Sequence, residues 1–230
     1  MTYSSFPDRS ADNLRRNFPD HACIYLHGFA SSPRSKKAQD LRDRFQAIGI
    51  DLITPDLNQP TFSDLTLSRQ IAQVEALLPV DRPVTLIGSS FGGLTAAWCA
   101  ERYAQIERLI LLAPAFQFLA QWLPRLGEST VQQWQTQDLL MTYHYGEQEM
   151  LPLRYRFVTD AMQYDETQLQ RSIPTLILHG IHDDVISIQA SRDYARGRLW
   201  ARLVELDSDH ALADVGEEIW GWVNEWMGKE

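Results

Sequence analysis

The 230-residue sequence has few cysteines, fewer basic than acidic residues and no long hydrophobic run. Its two cysteines, Cys23 and Cys99, each lie in an apolar segment, which favours two buried free thiols over a disulfide framework and fits a reducing, cytoplasmic compartment. No segment has the roughly 18 uninterrupted apolar residues of a membrane-spanning helix. The polar N-terminus lacks the apolar stretch of a signal peptide. We therefore expect no secretion and no membrane span.

The charge argues against another class of partner. The formal net charge is -9 at pH 7, whereas nucleic-acid binding needs clustered lysines and arginines. The only short basic run, residues 34–37, is interpreted as the solvated start of a helix. Hydrophobic residues at 44% and charged residues at 22% are typical of a globular chain. The composition predicts a globular protein without a nucleic-acid partner and leaves its oligomeric state open.

Short apolar runs alternate with longer segments of helical period, which is the pattern of βα units with a mostly parallel sheet. Several runs are continuous in Val, Ile and Leu, as in strands covered by helices on both faces. The length favours a single α/β domain over residues 1–230. Six strands are predicted, over residues 22–26, 50–54, 84–87, 109–112, 175–178 and 202–206. Five helices are predicted, over residues 36–48, 67–78, 92–103, 188–195 and 217–227.

Residues 115–171 interrupt this alternation. The interval shows no clear strand, but it is rich in glutamine and in aromatic residues such as Trp122 and Trp134. We interpret it as an inserted helical lid over an apolar pocket. The alternative is an ordinary pair of crossover helices.

The strongest functional signal is the segment 88–93, GSSFGG, which lies between a predicted strand and a predicted helix. This is the context of a nucleophile elbow, G-x-S-x-G, in which a sharp turn strains the serine backbone and the flanking positions have room only for glycine. The positive end of the following helix dipole would face the reaction centre. The pattern identifies Ser90 as the candidate nucleophile.

The loop after the first strand, residues 27–32 (HGFASS), is expected to complete an oxyanion hole. A tetrahedral intermediate needs at least two preorganised hydrogen-bond donors. Folds with a nucleophile elbow of this kind take one donor from the residue after the nucleophile and one from the loop after an earlier strand. The predicted donors are the backbone N–H groups of Phe29 and Phe91. We expect His27 to brace the loop rather than to transfer protons.

Two later segments, 179–185 (HGIHDDV) and 207–211 (DSDHA), each follow a predicted strand. Serine is a poor nucleophile near neutral pH, so it needs an imidazole to take its proton and a carboxylate to orient that imidazole. The chain order Ser90, Asp183, His210 is the Ser-acid-His order of the α/β-hydrolase fold. Parallel strands would bring all three to the carboxyl edge of the sheet. Periodicity does not separate Asp183 from its neighbour Asp184.

The same segments contain residue types that could bind a metal. These residues are His179, His182, Asp183, Asp184, Asp207, Asp209 and His210. The chain lacks an H-E-x-x-H helix or similar spacing, and a metal site would leave the elbow serine unexplained. We therefore predict neither a metal nor another cofactor.

The segment 25–33 (YLHGFASSP), which continues through Ser35 and Lys36 into a helix, and the later GSSFGG together resemble the small bacterial α/β-hydrolases of the YqiA/YcfP esterase type. The resemblance extends from about residue 24 to the C-terminal helix and is weakest in the insertion. It implies the α/β-hydrolase fold, esterase or thioesterase activity on acyl esters, and no cofactor. The H-G-x-x-D pattern of the resembling hydrolases selects Asp183 over Asp184 as the acid of the triad.

These observations predict a carboxylic-ester hydrolase that cleaves small acyl esters through an acyl-enzyme, with an apolar acyl pocket under the lid. A thioester, a peptide or a carbon-carbon bond next to a carbonyl is an alternative substrate, because one fold hosts many reactions. A non-catalytic ligand-binding protein is the alternative from another class. A complete set of triad residues disfavours it.

Overall fold

The computed structural model describes residues 21–228. Six of its strands form a parallel sheet in the order β2-β1-β3-β4-β7-β8. They are β1 (Ala22–Leu26), β2 (Leu52–Ile53), β3 (Val84–Ser89), β4 (Ile106–Leu112), β7 (Thr175–Gly180) and β8 (Ala201–Leu206). All six predicted strands are found, with β2 shorter and β3, β4, β7 and β8 longer than predicted. The N-terminal segment on which the signal-peptide prediction rests lies outside the described residues.

Helices cover both faces of this sheet. They are α1 (Lys36–Ala47), α2 (Leu67–Glu75), α3 (Phe91–Arg102), α7 (Ile188–Ala195) and α8 (Gly216–Met227). The interval 115–171 contributes α4 (Phe118–Leu126), α5 (Glu128–Gln137) and α6 (Arg156–Ala161). Helices α1 and α8 pack on one face, and α2, α3 and α7 on the other. Because successive strand residues face opposite sides, Ile24 joins one core and Cys23 the other. Both faces are apolar, which explains the continuous Val, Ile and Leu runs.

The interval 115–171 contains an antiparallel hairpin as well as helices α4 to α6, so the prediction that it holds no clear strand was wrong. The hairpin strands are β5 (Leu139–His144) and β6 (Glu149–Arg154). Pro152 interrupts the strand-like sequence of β6. Proline is tolerated there because both strands of a two-stranded sheet are edge strands. Met141 and Tyr143 point outward from the first strand and are exposed. Because these exposed side chains are apolar, β5 lacks the alternation of apolar and polar residues that normally marks a strand.

Cys23 and Cys99 are buried and free, as predicted. Burial raises the pKa of the Cys23 thiol to about 12, so this sulfur stays protonated and inert near neutral pH. Among residues 21–228, no helix has the length and apolar character needed to cross a bilayer.

Candidate active site

The turn between β3 and α3 holds Ser90 in a strained conformation, with φ 52° and ψ -119°. The glycines on either side make this turn possible. A Cβ on Gly88 would lie 2.4 Å from the carbonyl oxygen of Gly92, and one on Gly92 would lie 2.2 Å from that of Leu26. Any larger residue would have to displace backbone. The local structure is therefore that of the predicted elbow.

Ser90, His210 and Asp183 form a continuous chain of hydrogen bonds. The Oγ of Ser90 lies 3.0 Å from Nε2 of His210, and Nδ1 of His210 lies 2.6 Å from Oδ2 of Asp183. The carboxylate can only accept, so Nδ1 carries the proton and Nε2 is free to accept the hydroxyl proton of Ser90. The residues come from the ends of β3, β7 and β8, so sheet order alone brings together positions that are far apart in sequence.

The Asp183 carboxylate is held by four hydrogen bonds. Its Oδ1 accepts from the backbone N–H groups of Val185 and Ile186, at 2.8 and 2.7 Å. Its Oδ2 accepts from His210 and from Nε2 of His179, the latter at 3.0 Å. The Asp183 side chain is 0% exposed and that of His210 is 21% exposed. The acid is therefore fully buried, while the base stays within reach of a substrate.

These contacts decide the protonation of Asp183. Burial alone would raise the pKa of the carboxyl, but hydrogen bonds from His179 and His210, with backbone support from Ile186, outweigh it and leave the pKa below its usual value. The residue is therefore ionised near neutral pH. Asp184, the neighbouring carboxylate, is exposed.

His179 is a residue of this site that sequence reasoning treated only as a possible metal ligand. It is 0% exposed, at the end of β7. Its Nδ1 lies 2.8 Å from Oγ of Ser191, and its Nε2–H donates to Asp183. Both ring nitrogens are therefore engaged, and this imidazole holds the acid in place. The H-G-x-x-D spacing was the available signal, since it puts the histidine four residues before the carboxylate.

The loop 27–32 approaches Ser90 closely. A Cβ on Gly28 would lie 3.3 Å from Cβ of Ser90, so the absence of a side chain lets the loop backbone reach the serine. Phe29 follows Gly28, and Phe91 begins α3, where the first N–H groups have no acceptor within the helix. His27 donates from Nδ1 to the carbonyl of Gly28 and accepts at Nε2 from the N–H of Leu57, both at 2.9 Å. Both nitrogens are used in holding the loop, as the prediction for His27 requires.

The tip of the β5–β6 hairpin also holds this loop. The N–H of Tyr145 donates to the carbonyl of Ala30 at 2.7 Å. A Cβ on Gly146 would lie 2.7 Å from Cβ of Ser32, so the tip and the loop are in close contact. Ala30 has a φ of 51°, a backbone conformation that needs such external support. The insertion therefore contributes to the geometry of the loop beside Ser90.

Aromatic rings fill the space between the insertion and the two predicted oxyanion donors. The Phe29 ring lies 6.1 Å from Phe118, 5.4 Å from Trp122 and 5.2 Å from Phe157, measured between centroids. Phe118 also lies 5.2 Å from Phe91. The rings of the insertion pack against one another here, and an acyl pocket beneath a lid stays a prediction. A cavity of about 160 Å³ adjoins this cluster, lined by Phe118 and residues of α2, α3 and the insertion.

Lys37 departs from the prediction that residues 34–37 are a solvated helix start. Arg34 and Lys36 are exposed, and Ser35 caps α1 by accepting from the N–H of Ala38 at 3.3 Å. Lys37, however, donates from Nζ to Oγ of Ser89, the residue before the candidate nucleophile, at 3.1 Å. The helix starts as predicted, but its second residue turns a cation inward toward the elbow.

The residues weighed as metal ligands are divided among other contacts. His182 bonds Asp207 at the surface, whereas His179 and His210 both bond Asp183. Over the described range 21–228, no group of three or more His, Cys, Asp or Glu residues is arranged to hold a metal ion.

The parallel sheet, the strained serine turn and the strand-end acid and histidine define the architecture of the α/β hydrolases. Within that class, the chain belongs to the family described as Uncharacterised protein family UPF0227, which matches residues 22–224. No curated protein matches the sequence.

Several solved structures share the fold. Est1E from Butyrivibrio proteoclasticus, with bound ferulic acid, has a TM-score of 0.73 and 21% identity, covering 90% of each chain. A monoacylglycerol lipase from Paleococcus ferrophilus has a TM-score of 0.73 and 17% identity, covering 90% of this chain and 93% of its own. Alpha/beta hydrolase domain-containing protein 10 from mouse has a TM-score of 0.70 and 18% identity, covering 89% and 88%. At these identities the likeness concerns the fold.

Proposed function

We propose that this chain is a serine hydrolase that cleaves carboxylic esters through an acyl-enzyme intermediate, with Ser90 as nucleophile, His210 as general base and Asp183 as the acid that orients it. The observation that carries the proposal is the hydrogen-bonded chain from Ser90 Oγ through His210 to the buried Asp183 carboxylate. The shared fold of a monoacylglycerol lipase supports it. The free thiols fit a cytoplasmic enzyme.

In the proposed reaction, Ser90 Oγ attacks the carbonyl carbon of the ester while its proton passes to Nε2 of His210. The Asp183 carboxylate stabilises the resulting imidazolium without taking its proton. The N–H groups of Phe29 and Phe91 donate to the oxygen that becomes negative in the tetrahedral intermediate. His210 then protonates the departing alkoxide, leaving the acyl group on Ser90. Water attacks this acyl-enzyme, with His210 again as base.

Covalent labelling tests this proposal directly. A fluorophosphonate probe should attach to Ser90, located by peptide mass spectrometry, and short p-nitrophenyl esters should be hydrolysed. Blocking Ser90 with the probe should abolish that hydrolysis in proportion to labelling. Folded protein that reacts with neither probe nor activated ester would favour a ligand-binding protein instead. Parallel assays with matched oxygen esters and thioesters would separate the alternative acyl substrates.

We further propose that residues 115–171 act as the lid and limit the acyl chain that fits. The rings of Phe118, Trp122 and Phe157 occupy the space next to the predicted oxyanion donors. Acetyl and propionyl esters should therefore be better substrates than octanoyl esters. The measurement is kcat/KM across a series of p-nitrophenyl esters.

Phe118→Ala should shift that preference toward longer chains, because it removes the ring between the aromatic cluster and the adjoining cavity of about 160 Å³. We expect the octanoyl-to-acetyl ratio of kcat/KM to rise about tenfold or more, since each methylene that gains a hydrophobic site contributes about 1 kcal/mol. Trp226→Ala, which truncates an aromatic residue packed on the opposite face of the sheet, is the control. An unchanged ratio in folded Phe118→Ala would show that the insertion does not limit chain length.

A further inference from the structure

Lys37 places a positive charge behind the nucleophile, on the opposite side of the elbow from the aromatic cluster. Its ammonium donates to Ser89 Oγ at 3.1 Å, and the Ser89 side chain also bonds Tyr25, a buried residue of β1. Tyr25 belongs to the core under α1 and α8, whereas Phe91 belongs to the core under α2 and α3. Lys37 thus reaches the site from the face that the lid does not cover.

Two carboxylates beside the base attract this ammonium. Lys37 interacts electrostatically with Asp209, which precedes His210 in the chain, and with Asp183, which is bonded to it. Burial lowers the pKa of the Lys37 ammonium to about 8, with attraction by the two carboxylates opposing the shift. At neutral pH the side chain is therefore still mainly charged, and the half-buried ammonium needs partners that compensate its lost hydration.

The charge balance around His210 gives Lys37 a role. Asp183 bonds the imidazole of His210 and that of His179, and Lys37 interacts electrostatically with Asp183 and with Asp209, the residue before His210. Asp183 and Asp209 are both carboxylates. Two carboxylates without a counter-charge would favour the imidazolium, which cannot accept the Ser90 proton. One cation offsets the second carboxylate.

We propose that Lys37 is a positioning residue whose buried charge keeps His210 in its neutral, proton-accepting form, while its hydrogen bond to Ser89 fixes the residue before the nucleophile. This inference rests on the proposed triad. It assigns Lys37 no contact with substrate and no proton transfer. Its effect passes through the charge seen by His210.

Lys37→Met should move the acid limb of the kcat/KM profile to higher pH by about half to one unit, the order of effect expected when a unit charge is removed from a partly screened site. Activity on p-nitrophenyl acetate should then be about three- to tenfold below wild type at pH 6, with the deficit shrinking toward pH 8.5. The rate of fluorophosphonate labelling should follow the same profile. A merely structural role would lower activity at every pH without moving the limb.

Three further variants separate the charge from its surroundings. Lys36→Met removes the same charge from the adjacent exposed residue and should leave the limb in place. Lys37→Arg keeps the charge and should restore the wild-type limb even if overall activity falls. Ser89→Ala removes the hydrogen bond but keeps the charge, and should lower activity without the shift. An unshifted limb in folded Lys37→Met, or an equal shift in Lys36→Met, would overturn the inference, whereas failure of wild type to label at Ser90 would overturn the triad itself.

Discussion

Replacing Ser90 by alanine is expected to lower kcat on short esters by about a million-fold, the size of effect seen when other serine triads lose their nucleophile. Alanine lacks the oxygen that must attack the carbonyl, and the neighbouring Ser89 cannot replace it because its hydroxyl bonds Lys37 and Tyr25. Steady-state hydrolysis and the pre-steady-state burst of p-nitrophenol should both disappear. Any residual rate would come from binding and the oxyanion donors alone.

The fold should survive this substitution. The side chain of Ser90 does not cap its helix. The backbone N–H of Ser90 donates to the carbonyl of Leu112, and the carbonyl of Ser90 accepts from the N–H of Ala115. Alanine keeps both, so circular dichroism and the thermal unfolding midpoint should stay near wild type. Ser89→Ala removes the neighbouring hydroxyl and is the matched comparison: its loss of activity should be far smaller than that of Ser90→Ala, because the nucleophile remains. Hydrolysis by Ser90→Ala at the wild-type rate would mean that another group is the nucleophile.

The elbow and the six central strands were predictable because each is marked by a short sequence pattern. Gly88 and Gly92 are required by backbone atoms within the same turn or on the adjacent strand, and continuous Val, Ile and Leu runs mark a sheet covered on both faces. The strand-end positions of Asp183 and His210 followed from the order of the motifs. Their hydrogen bond joins residues 27 positions apart, yet parallel topology makes such meetings regular at one sheet edge.

The parts that sequence missed depend on long-range contacts. Nothing within the basic run shows that Lys37 faces Ser89, 52 positions later, whereas Lys36 faces solvent. The hairpin was missed because Pro152 and the exposed face of β5 obscure its period, and its contact with Ala30 joins two segments about 115 residues apart. By contrast, Ser35 caps α1 through a partner only three residues away, which is within the reach of a local sequence pattern. A side chain's distant partner has no such local sign.

Replacing Asp183 by asparagine is expected to lower kcat by up to about ten-thousand-fold. The carboxylate accepts from two backbone N–H groups at Oδ1 and from two imidazole N–H groups at Oδ2. Asparagine has one acceptor oxygen and one amide nitrogen that can only donate. If the oxygen stays with Val185 and Ile186, the amide faces His210 and forces it to accept at Nδ1. The proton then sits on Nε2, where it blocks transfer from Ser90.

In the opposite amide orientation, the asparagine oxygen accepts from His210 and the contacts with the backbone N–H groups are lost. The side-chain amide would then donate toward the N–H groups of Val185 and Ile186, leaving both without this acceptor, at a cost of up to about 1–3 kcal/mol for the buried Ile186. Asp183→Asn should therefore lose either the correct His210 tautomer or stability, and both kcat and the unfolding midpoint should be measured. Asp184→Asn is the matched control, because that carboxylate is exposed and surface substitutions usually change stability by about 0.5 kcal/mol or less. Near-normal kcat in Asp183→Asn beside a large loss in Asp184→Asn would assign the acid to Asp184, despite the four hydrogen bonds that hold Asp183 against the base.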